Sequence, residues 1–173
     1  NLVNGFTGIF SLGHAGFMAI GAYSVALLTI PVAKKETIFM LEPLIAPLNT
    51  LTLPFGVALI IGGLLAAALA FLIGLPCLRL RGDYLAIATL GFSEIIRIVI
   101  TNAQCLTNGA QGLKSIPATA NIWWCYGIAL ATIIFIALLI SSSYGRAFKA
   151  IREDEIAAES MGVSLLRHKM LSF

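Results

Sequence analysis

The sequence predicts an all-α fold, a polytopic transmembrane helix bundle, and three observations lead to this fold class. The 173 residues are 59% hydrophobic and only 11% charged, whereas an ordinary soluble domain carries about 25% charged residues. The mean hydropathy is +0.96. The charges are gathered into short stretches, and a bilayer is the solvent that accommodates the long uncharged runs between them. We therefore expect membrane lipid, rather than water, around most of this chain.

Four apolar segments are predicted to cross the membrane, because about 20 apolar residues of helix cover a hydrocarbon core of roughly 30 Å. The segments lie near residues 12–30, 53–75, 84–101 and 122–140. The second and fourth contain no charge. The first is rich in Gly, Ala and Ser, and the third contains Glu94 and Arg97, so both are expected to depend on neighbouring helices for stability. Residues 1–143 thus form the predicted transmembrane region.

The second span also carries a row of small residues at four-residue intervals, namely Gly62, Ala66, Ala70 and Gly74. Residues four apart lie on one helix face, and a face without large side chains lets another helix approach closely. We interpret this row as a packing surface.

Orientation follows from lysine and arginine, which stay on the cytoplasmic side of the membrane. Seven of them fall in the connection after the second span and in the tail after the fourth span: Arg79, Arg81, Arg146, Lys149, Arg152, Arg167 and Lys169. The connections 31–52 and 102–121 hold only Lys34, Lys35 and Lys114. We therefore assign the Arg79 connection and the tail to the cytoplasm. The outer connections are rich in Pro, Asn and Gly, including Pro43 and Pro47, and are predicted to be loops.

The third span has one polar face. Thr89, Ser93, Arg97 and Thr101 follow at four-residue steps, and Glu94 lies three residues before Arg97. An ionisable side chain at bilayer depth costs about 2.5–3.5 kcal/mol on insertion scales, so this face is expected to meet a cavity or a partner charge. Two interpretations stay open. Glu94 and Arg97 contact the ammonium and carboxylate of a zwitterionic substrate, or they form a structural ion pair near the helix end.

Glycines and polar residues crowd the point where the first span enters the membrane. Gly5-Phe6-Thr7-Gly8 is followed by Ser11-Leu12-Gly13-His14-Ala15-Gly16, and regular helix is expected to be interrupted there. In transporters, interrupted helices often expose backbone groups to a pathway. Ser11, Gly13 and His14 therefore join Thr89, Ser93, Glu94 and Arg97 as candidate pathway residues. The alternative is a loop that makes a tight helix–helix contact.

The tail, residues 144–173, is predicted to contain a short cytoplasmic helix. The run from Arg146 to Met161 is charged and favours helix. Asp154 and Glu155 lie where a second helix could start, and Gly162 is a natural C-terminal cap. The acidic residues either face a basic partner surface or belong to an ordinary solvated helix.

Several classes of function are disfavoured. The string from Gly109 to Ser115 has the wrong spacing for a phosphate-binding loop, so this chain is not expected to be an enzyme that hydrolyses ATP. Cys77, Cys105 and Cys125 are widely spaced and lack histidine companions, so neither a disulfide framework nor a metal site is predicted. The net charge of +3 is modest, and nucleic acid is not an expected partner. No cofactor is expected.

The chain closely resembles the permease subunits of bacterial ABC importers for branched-chain amino acids, of the LivM type. The resemblance covers nearly the whole sequence and is carried by three stretches. These are Asn1 to Gly8 with Ser11 to Phe17 and Gly21-Ala22-Tyr23, then Leu78 to Leu90, then Gly145-Arg146-Ala147 with Ala150 to Ala158. Members of this family are longer on both sides, so the sequence is interpreted as an internal fragment whose tail leads into a further span.

The resemblance implies a subunit of the bacterial inner membrane that is one part of a larger transporter. Its implied partners are a second related permease, two cytoplasmic ATP-binding subunits and an extracytoplasmic substrate-binding protein. In such permeases a coupling helix carries the pattern Glu-Ala-Ala, three residues, Gly, and this sequence has Ile156-Ala157-Ala158-Glu159-Ser160-Met161-Gly162. Ile156 replaces the acid of the pattern. The implied coupling residues are Glu153, Asp154, Glu155, Ala157, Ala158, Glu159 and Gly162.

Three other functions remain as alternatives. Close relatives of this family import urea or short amides. An ion-coupled carrier could use Glu94 as a proton site without any ATPase, but it would not need the coupling helix. An intramembrane enzyme using His14 and Glu94 is disfavoured, because these residues lie on different helices without a nearby nucleophile.

Overall fold

The computed structural model of the protein describes residues 2–39, 48–80, 82–114 and 116–173, and this part of the chain contains helices and no strand. The all-α prediction is therefore confirmed. The α-helices are α1 His14–Thr29, α2 Val32–Ile38, α3 Phe55–Cys77, α4 Asp83–Asn102, α5 Gln104–Thr107, α6 Ile122–Ser141, α7 Ser143–Glu153, α8 Glu155–Ser160 and α9 Leu165–Ser172. A π-helix precedes them at Leu2–Phe6, and a 3-10 helix follows α5 at Gly109–Gln111.

Three of the four predicted spans are helices long and apolar enough to cross a bilayer. Helices α3, α4 and α6 have 23, 20 and 20 residues, which correspond to about 30–35 Å at 1.5 Å per residue. The first predicted span is shorter than expected. Helix α1 has 16 residues and is about 24 Å long, because Gly13 caps it and residues 7–12 are not helical.

The outer connections differ from the predicted loops, because each contains helix. Helix α2 has 7 residues and begins directly after Pro31, whose ψ of 143° is extended; a proline at a helix start removes no intrahelical hydrogen bond. Helix α5 ends at Asn108, which adopts the left-handed conformation with φ 60°. Pro43 and Pro47, on which the loop prediction also relied, lie outside the described residues.

The chain forms two compact units. The first comprises Asn1–Leu12, Ala70–Leu90 and Ala120–Phe173, and the second comprises Gly13–Leu69 and Gly91–Thr119. Both segments assigned to the cytoplasm belong to the first unit, and both outer connections lie almost wholly in the second. Sidedness itself stays a prediction.

In the second unit, glycines bring α1 against α3 and α4. A Cβ atom at Gly62 would lie 3.1 Å from the carbonyl oxygen of Gly21 and 2.8 Å from a methyl of Val25. A Cβ atom at Gly16 would lie 2.9 Å from Ile96 and 3.2 Å from the Cα of Ser93. Such close approach is the usual basis of helix association in membranes, and it confirms Gly62 as a packing residue.

In the first unit, α7 packs with α8, α9 and the N-terminal π-helix. Phe148 and Ile151 of α7 are almost completely buried. Gly74, the last member of the small-residue row, lies against α9, where a Cβ atom would meet Met170 at 3.0 Å and Phe173 at 3.2 Å. Within the row on α3, Gly62 therefore packs against α1 and Gly74 packs against α9.

A buried lysine organises the outer connection in the second unit. The Lys35 side chain is almost fully buried, and its Nζ donates to the carbonyl oxygens of Leu48 at 2.7 Å and Leu51 at 2.8 Å. Leu27 and Phe39 form a small apolar cluster in the same unit. Burial disfavours the charged ammonium and lowers the pKa of Lys35 from its ordinary value.

Replacing Lys35 with Met should loosen residues 48–53 without disturbing α1. The substitution leaves two carbonyl groups unpaired, which costs about 1–3 kcal/mol for each group that stays buried. We expect faster hydrogen exchange at the Leu53 amide, which donates to the carbonyl of Leu28. The control is Lys34→Met, because Lys34 is its exposed neighbour on the same helix. Equal exchange in both variants would show that the Lys35 bonds do not hold this segment.

The lowered pKa of Lys35 also predicts a dependence on pH. Between the folded and the unfolded pKa the unfolded chain binds more protons, so stability rises with pH across that window. The protection factor of the Leu53 amide, corrected for intrinsic exchange, should therefore increase toward the ordinary lysine pKa in the wild type. The Lys35→Met variant should lose this increase.

Candidate functional site

The predicted coupling segment folds as two helices that are separated at Asp154. This residue has extended backbone, and its carboxylate accepts hydrogen bonds from the amides of Ile156 at 2.8 Å and Ala157 at 3.1 Å. It therefore ends α7 and caps the N-terminus of α8, as the sequence predicted. Gly162 follows α8 with φ +87°, and a Cβ atom there would meet no neighbour within 4 Å. Glycine is required at 162 by backbone conformation rather than by packing.

The acidic side chains of this segment have different roles. Glu153 pairs with Arg152 at 2.7 Å, and Asp154 is occupied as the helix cap. Glu155 pairs with Lys169 of α9 at 2.6 Å, and the Lys169 side chain is only 5% exposed. Glu159 is exposed and forms no ion pair within the part of the chain that the structure describes. Of these four acids, Glu159 is the one that neither pairs with a basic side chain nor caps a helix within the described residues.

The surface of α8 is apolar around that acid. Ala158 is buried against the unit, whereas Ala157 is exposed. Ile156 is 69% exposed, and Met161, which follows the helix, is 86% exposed. Two large exposed apolar side chains beside an unpaired charge make this face a candidate protein-binding surface. We call Ile156, Ala157, Glu159 and Met161 the docking face.

The N-terminal segment is interrupted where the sequence predicts it. After the π-helix, the amide of Ser11 donates to Asn4 Oδ1 at 3.3 Å, and the amide of Leu12 donates to Thr89 Oγ1 at 3.1 Å. Thr89 in turn donates to the carbonyl oxygen of Ala86 at 3.0 Å and is almost completely buried. The structure thus brings the Ser11 region and Thr89 together in the first unit. Gly13 and His14 belong to the second unit, where Gly13 caps α1.

The remaining pathway candidates surround a cavity of about 300 Å³ in the second unit. Ser93, Glu94, Arg97 and Thr101 of α4 line it together with Tyr23 of α1. Arg97 Nη1 donates to Glu94 Oε1 at 2.8 Å, and the two side chains are 75% and 54% exposed. This is the only hydrogen bond that the Arg97 guanidinium makes within the described residues. Its other N–H groups and the second oxygen of Glu94 remain available to a ligand.

A second, apolar cavity of about 390 Å³ lies in the same unit, and Tyr23 and Ile100 border both cavities. Its polar lining groups include Ser24 and Thr107, whose hydroxyls donate to the carbonyl oxygens of Ile20 at 2.7 Å and Ala103 at 2.8 Å. Because these groups are already satisfied, the cavity favours hydrocarbon.

Sequence reasoning missed three residues of these sites. Tyr23 appeared only in the Gly21-Ala22-Tyr23 stretch of the family resemblance, which says nothing about a cavity. Lys169 is 14 residues from Glu155, a separation that follows no local spacing rule. Arg152, a neighbour of the N-terminal segment, is 147 residues from Gly5. No periodicity in the sequence marks either long-range contact.

Comparison with known proteins addresses the whole chain. Residues 1–173 match the family described as branched-chain amino acid transport system / permease component. The high-affinity branched-chain amino acid transport system permease protein LivM of Escherichia coli K12 is 37% identical over 207 aligned residues, which cover 100% of this chain and 44% of that protein. Its counterpart in Salmonella typhimurium LT2 is 36% identical with the same coverage. No solved structure matches the chain at a significant level.

A more distant relative is the probable branched-chain amino acid transport permease protein LivM of Methanocaldococcus jannaschii, 27% identical over 123 residues, which cover 63% of this chain and 36% of that protein. The chain spans less than half the length of each of these relatives. The match over all residues, together with the apolar helices α3, α4 and α6, identifies an integral membrane protein. The chain belongs to the family of permease components of branched-chain amino acid transport systems.

Proposed function

We propose that this chain is part of the permease subunit of an ATP-driven importer and forms part of the translocation pathway for branched-chain amino acids. The family match over residues 1–173 is the observation that carries this proposal. The named relatives are permease proteins, and ATP hydrolysis is accordingly proposed to occur on separate subunits. We also propose that the protein lies in the bacterial inner membrane, with the Arg79 connection and residues 144–173 in the cytoplasm.

The proposed partners are a second related permease, two cytoplasmic ATP-binding subunits and an extracytoplasmic substrate-binding protein. The docking face on α8 supports contact with an ATP-binding subunit, because it combines exposed Ile156 and Met161 with the unpaired Glu159. The coupling role of Glu153, Asp154 and Glu155 is then indirect. Asp154 caps α8 and Glu155 ties it to Lys169, which holds the docking face in place, whereas Glu153 pairs with Arg152 at the end of α7.

The two cavities of the second unit support an amphipathic substrate. A zwitterion carries adjacent opposite charges, and the Glu94–Arg97 pair offers a complementary pair with free donor and acceptor positions. An aliphatic side chain fits the neighbouring apolar cavity beyond Tyr23. Ser93, Glu94 and Arg97 are therefore proposed as substrate contacts. Ser11, Gly13, His14 and Thr89 are proposed to line or support the pathway at the interrupted segment.

The direct test is uptake by the complete transporter reconstituted in proteoliposomes with its ATP-binding subunits and binding protein. We expect internal ATP to drive accumulation of labelled leucine, isoleucine or valine, and a protonophore to leave accumulation intact. Uptake of urea or short amides instead would assign the substrate to the alternative class. Accumulation without ATP that collapses with the proton gradient would identify an ion-coupled carrier and overturn the proposal.

Charge reversal should separate docking from folding on α8. Glu159→Lys places a positive charge on the exposed docking face, so we expect normal assembly in the membrane but weak binding of the ATP-binding subunit and uptake reduced at least about tenfold. Glu155→Lys removes the partner of buried Lys169 and places a second positive charge against it. Breaking a buried ion pair by removing one partner costs about 3–5 kcal/mol. That variant should lose thermal stability in detergent. Equal stability and equal uptake in both variants would contradict these roles.

The Glu94–Arg97 pair can be tested by exchanging its charges. The double variant Glu94→Arg with Arg97→Glu keeps an ion pair on the same helix turn, so a purely structural pair should retain both assembly and uptake. If the pair contacts the substrate, the exchanged charges meet the zwitterion in a new geometry, and we expect assembly to survive while the KM for leucine rises about tenfold or more. Arg97→Met alone leaves Glu94 unpaired and measures the cost of losing the pair.

A further inference from the structure

The N-terminal segment and the cytoplasmic helices meet at one side chain. Arg152 lies in the last turn of α7, and its Nη1 donates to the carbonyl oxygen of Gly5 at 3.2 Å. Its Nε and Nη2 donate to Glu153 Oε1 at 3.2 and 2.7 Å, which fixes the plane of the guanidinium. One arginine therefore joins the acidic end of α7 to the backbone of the interrupted segment.

Gly8 makes this contact unusually close. Its φ is +70°, and a Cβ atom there would lie 2.5 Å from Arg152 Cγ, 3.2 Å from Arg152 Cβ and 3.4 Å from Arg152 Cα. The segment thus lies against the backbone of α7 as well as against the arginine head group. A side chain at position 8 would require Arg152 or the segment to shift, and its backbone would be strained at this positive φ.

The segment is held together by its own hydrogen bonds and by burial. The amides of Thr7 and Ile9 donate to the carbonyl oxygens of Leu2 and Val3, each at 3.1 Å. Ser11 is tied to Asn4 Oδ1. Val3, Thr7, Ile9 and Ser11 are all buried. A continuous set of contacts therefore runs from Gly5 and Gly8 to Leu12, where the amide donates to Thr89 on α4.

The opposite end of this chain of contacts is the docking face. Asp154 links α7 to α8 through the helix cap, and the Glu155–Lys169 pair holds α8 to α9. Helices α7 and α9 both contact the π-helix at Leu2–Phe6. All these contacts lie within the first unit.

We propose that Arg152 and Gly8 form the contact through which movement of the docking face reaches the interrupted N-terminal segment, so that Arg152 is a positioning residue for transport. This inference rests on the proposed function, because it needs an ATP-binding subunit that moves α8. It goes beyond docking, since neither residue belongs to the docking face. The contact decides how much transport each hydrolysed ATP produces.

The test is uptake of leucine per ATP hydrolysed in the complete reconstituted transporter, with Arg152→Gln as the main variant. We expect the ATP-binding subunit to bind normally and hydrolysis to stay within about twofold of the wild type, while uptake per ATP falls about fivefold to tenfold. The matched control is Lys149→Gln, which removes the same charge from an exposed position on the same helix. This control should transport like the wild type.

A double-variant cycle tests the contact itself. Gly8→Ala should lower uptake per ATP, and combining it with Arg152→Ala, which removes the obstructing Cγ atom, should cost no more than the worse single variant. Arg152→Lys keeps the charge and most of the stem, so it should fall between the wild type and Arg152→Gln. This milder variant keeps the test decisive if Gly8→Ala does not assemble.

Three outcomes overturn the inference. In the first, uptake and ATP hydrolysis fall in the same proportion in Arg152→Gln. In the second, the losses of uptake per ATP in the two single variants multiply in the Gly8→Ala and Arg152→Ala double variant. In the third, uptake per ATP is unchanged in both single variants. Failure of the wild-type complex to couple ATP to leucine uptake would instead remove the proposed function, and the inference with it. The two failures are distinguished by the wild-type measurement alone.

Discussion

A charged or polar group that folding removes from water needs a specific partner in the protein, and this constraint accounts for contacts in both units. Lys35 is buried against two carbonyl oxygens, and Lys169 is buried against Glu155. Thr89 uses a single oxygen as donor to Ala86 and acceptor from Leu12. Each of these groups replaces hydration with a specific partner, and each partner then fixes one element to another.

Glycines provide the close approach between elements that these polar contacts require. Where polar side chains tie elements together, glycines let backbones come close enough to be tied. Gly16 and Gly62 bring α1 to its neighbours in the second unit, and Gly8 brings the N-terminal segment to α7 in the first. Since lipid gives no hydrophobic driving force between membrane-spanning helices, the close packing at Gly16 and Gly62 supplies much of the energy that associates α1 with its neighbours.

The fold class was predictable because hydrocarbon length and charge segregation are properties of composition and order along the chain. The bounds predicted for the second, third and fourth spans agree with those of α3, α4 and α6 to within about two residues. The break at Asp154 and the cap at Gly162 were equally predictable, because capping acts over three or four residues. The helix at Val32–Ile38 was not, since the prolines around it suggested a loop and Pro31 instead starts the helix.

The candidate site was predictable only in its local parts. Spacing alone gave the Glu94–Arg97 pair, but no spacing rule leads from Glu155 to Lys169 or from Gly5 to Arg152, because those contacts depend on the tertiary fold. For the same reason the sequence could not say which acid of the tail is open. Glu155 fits the family pattern most nearly, whereas the structure engages it with Lys169 and leaves Glu159 exposed.

The pairing of Glu155 with a lysine that follows it by 14 residues has a consequence for biogenesis. While the chain is being synthesised, α8 can form and pack against α7 as soon as its own residues and Asp154 have left the ribosome, but its ion pair with α9 has to wait until Lys169 emerges. A nascent chain that stops short of this lysine therefore carries α8 without its ion pair to α9. The contact between α8 and α9 is therefore completed only after most of α9 has been synthesised.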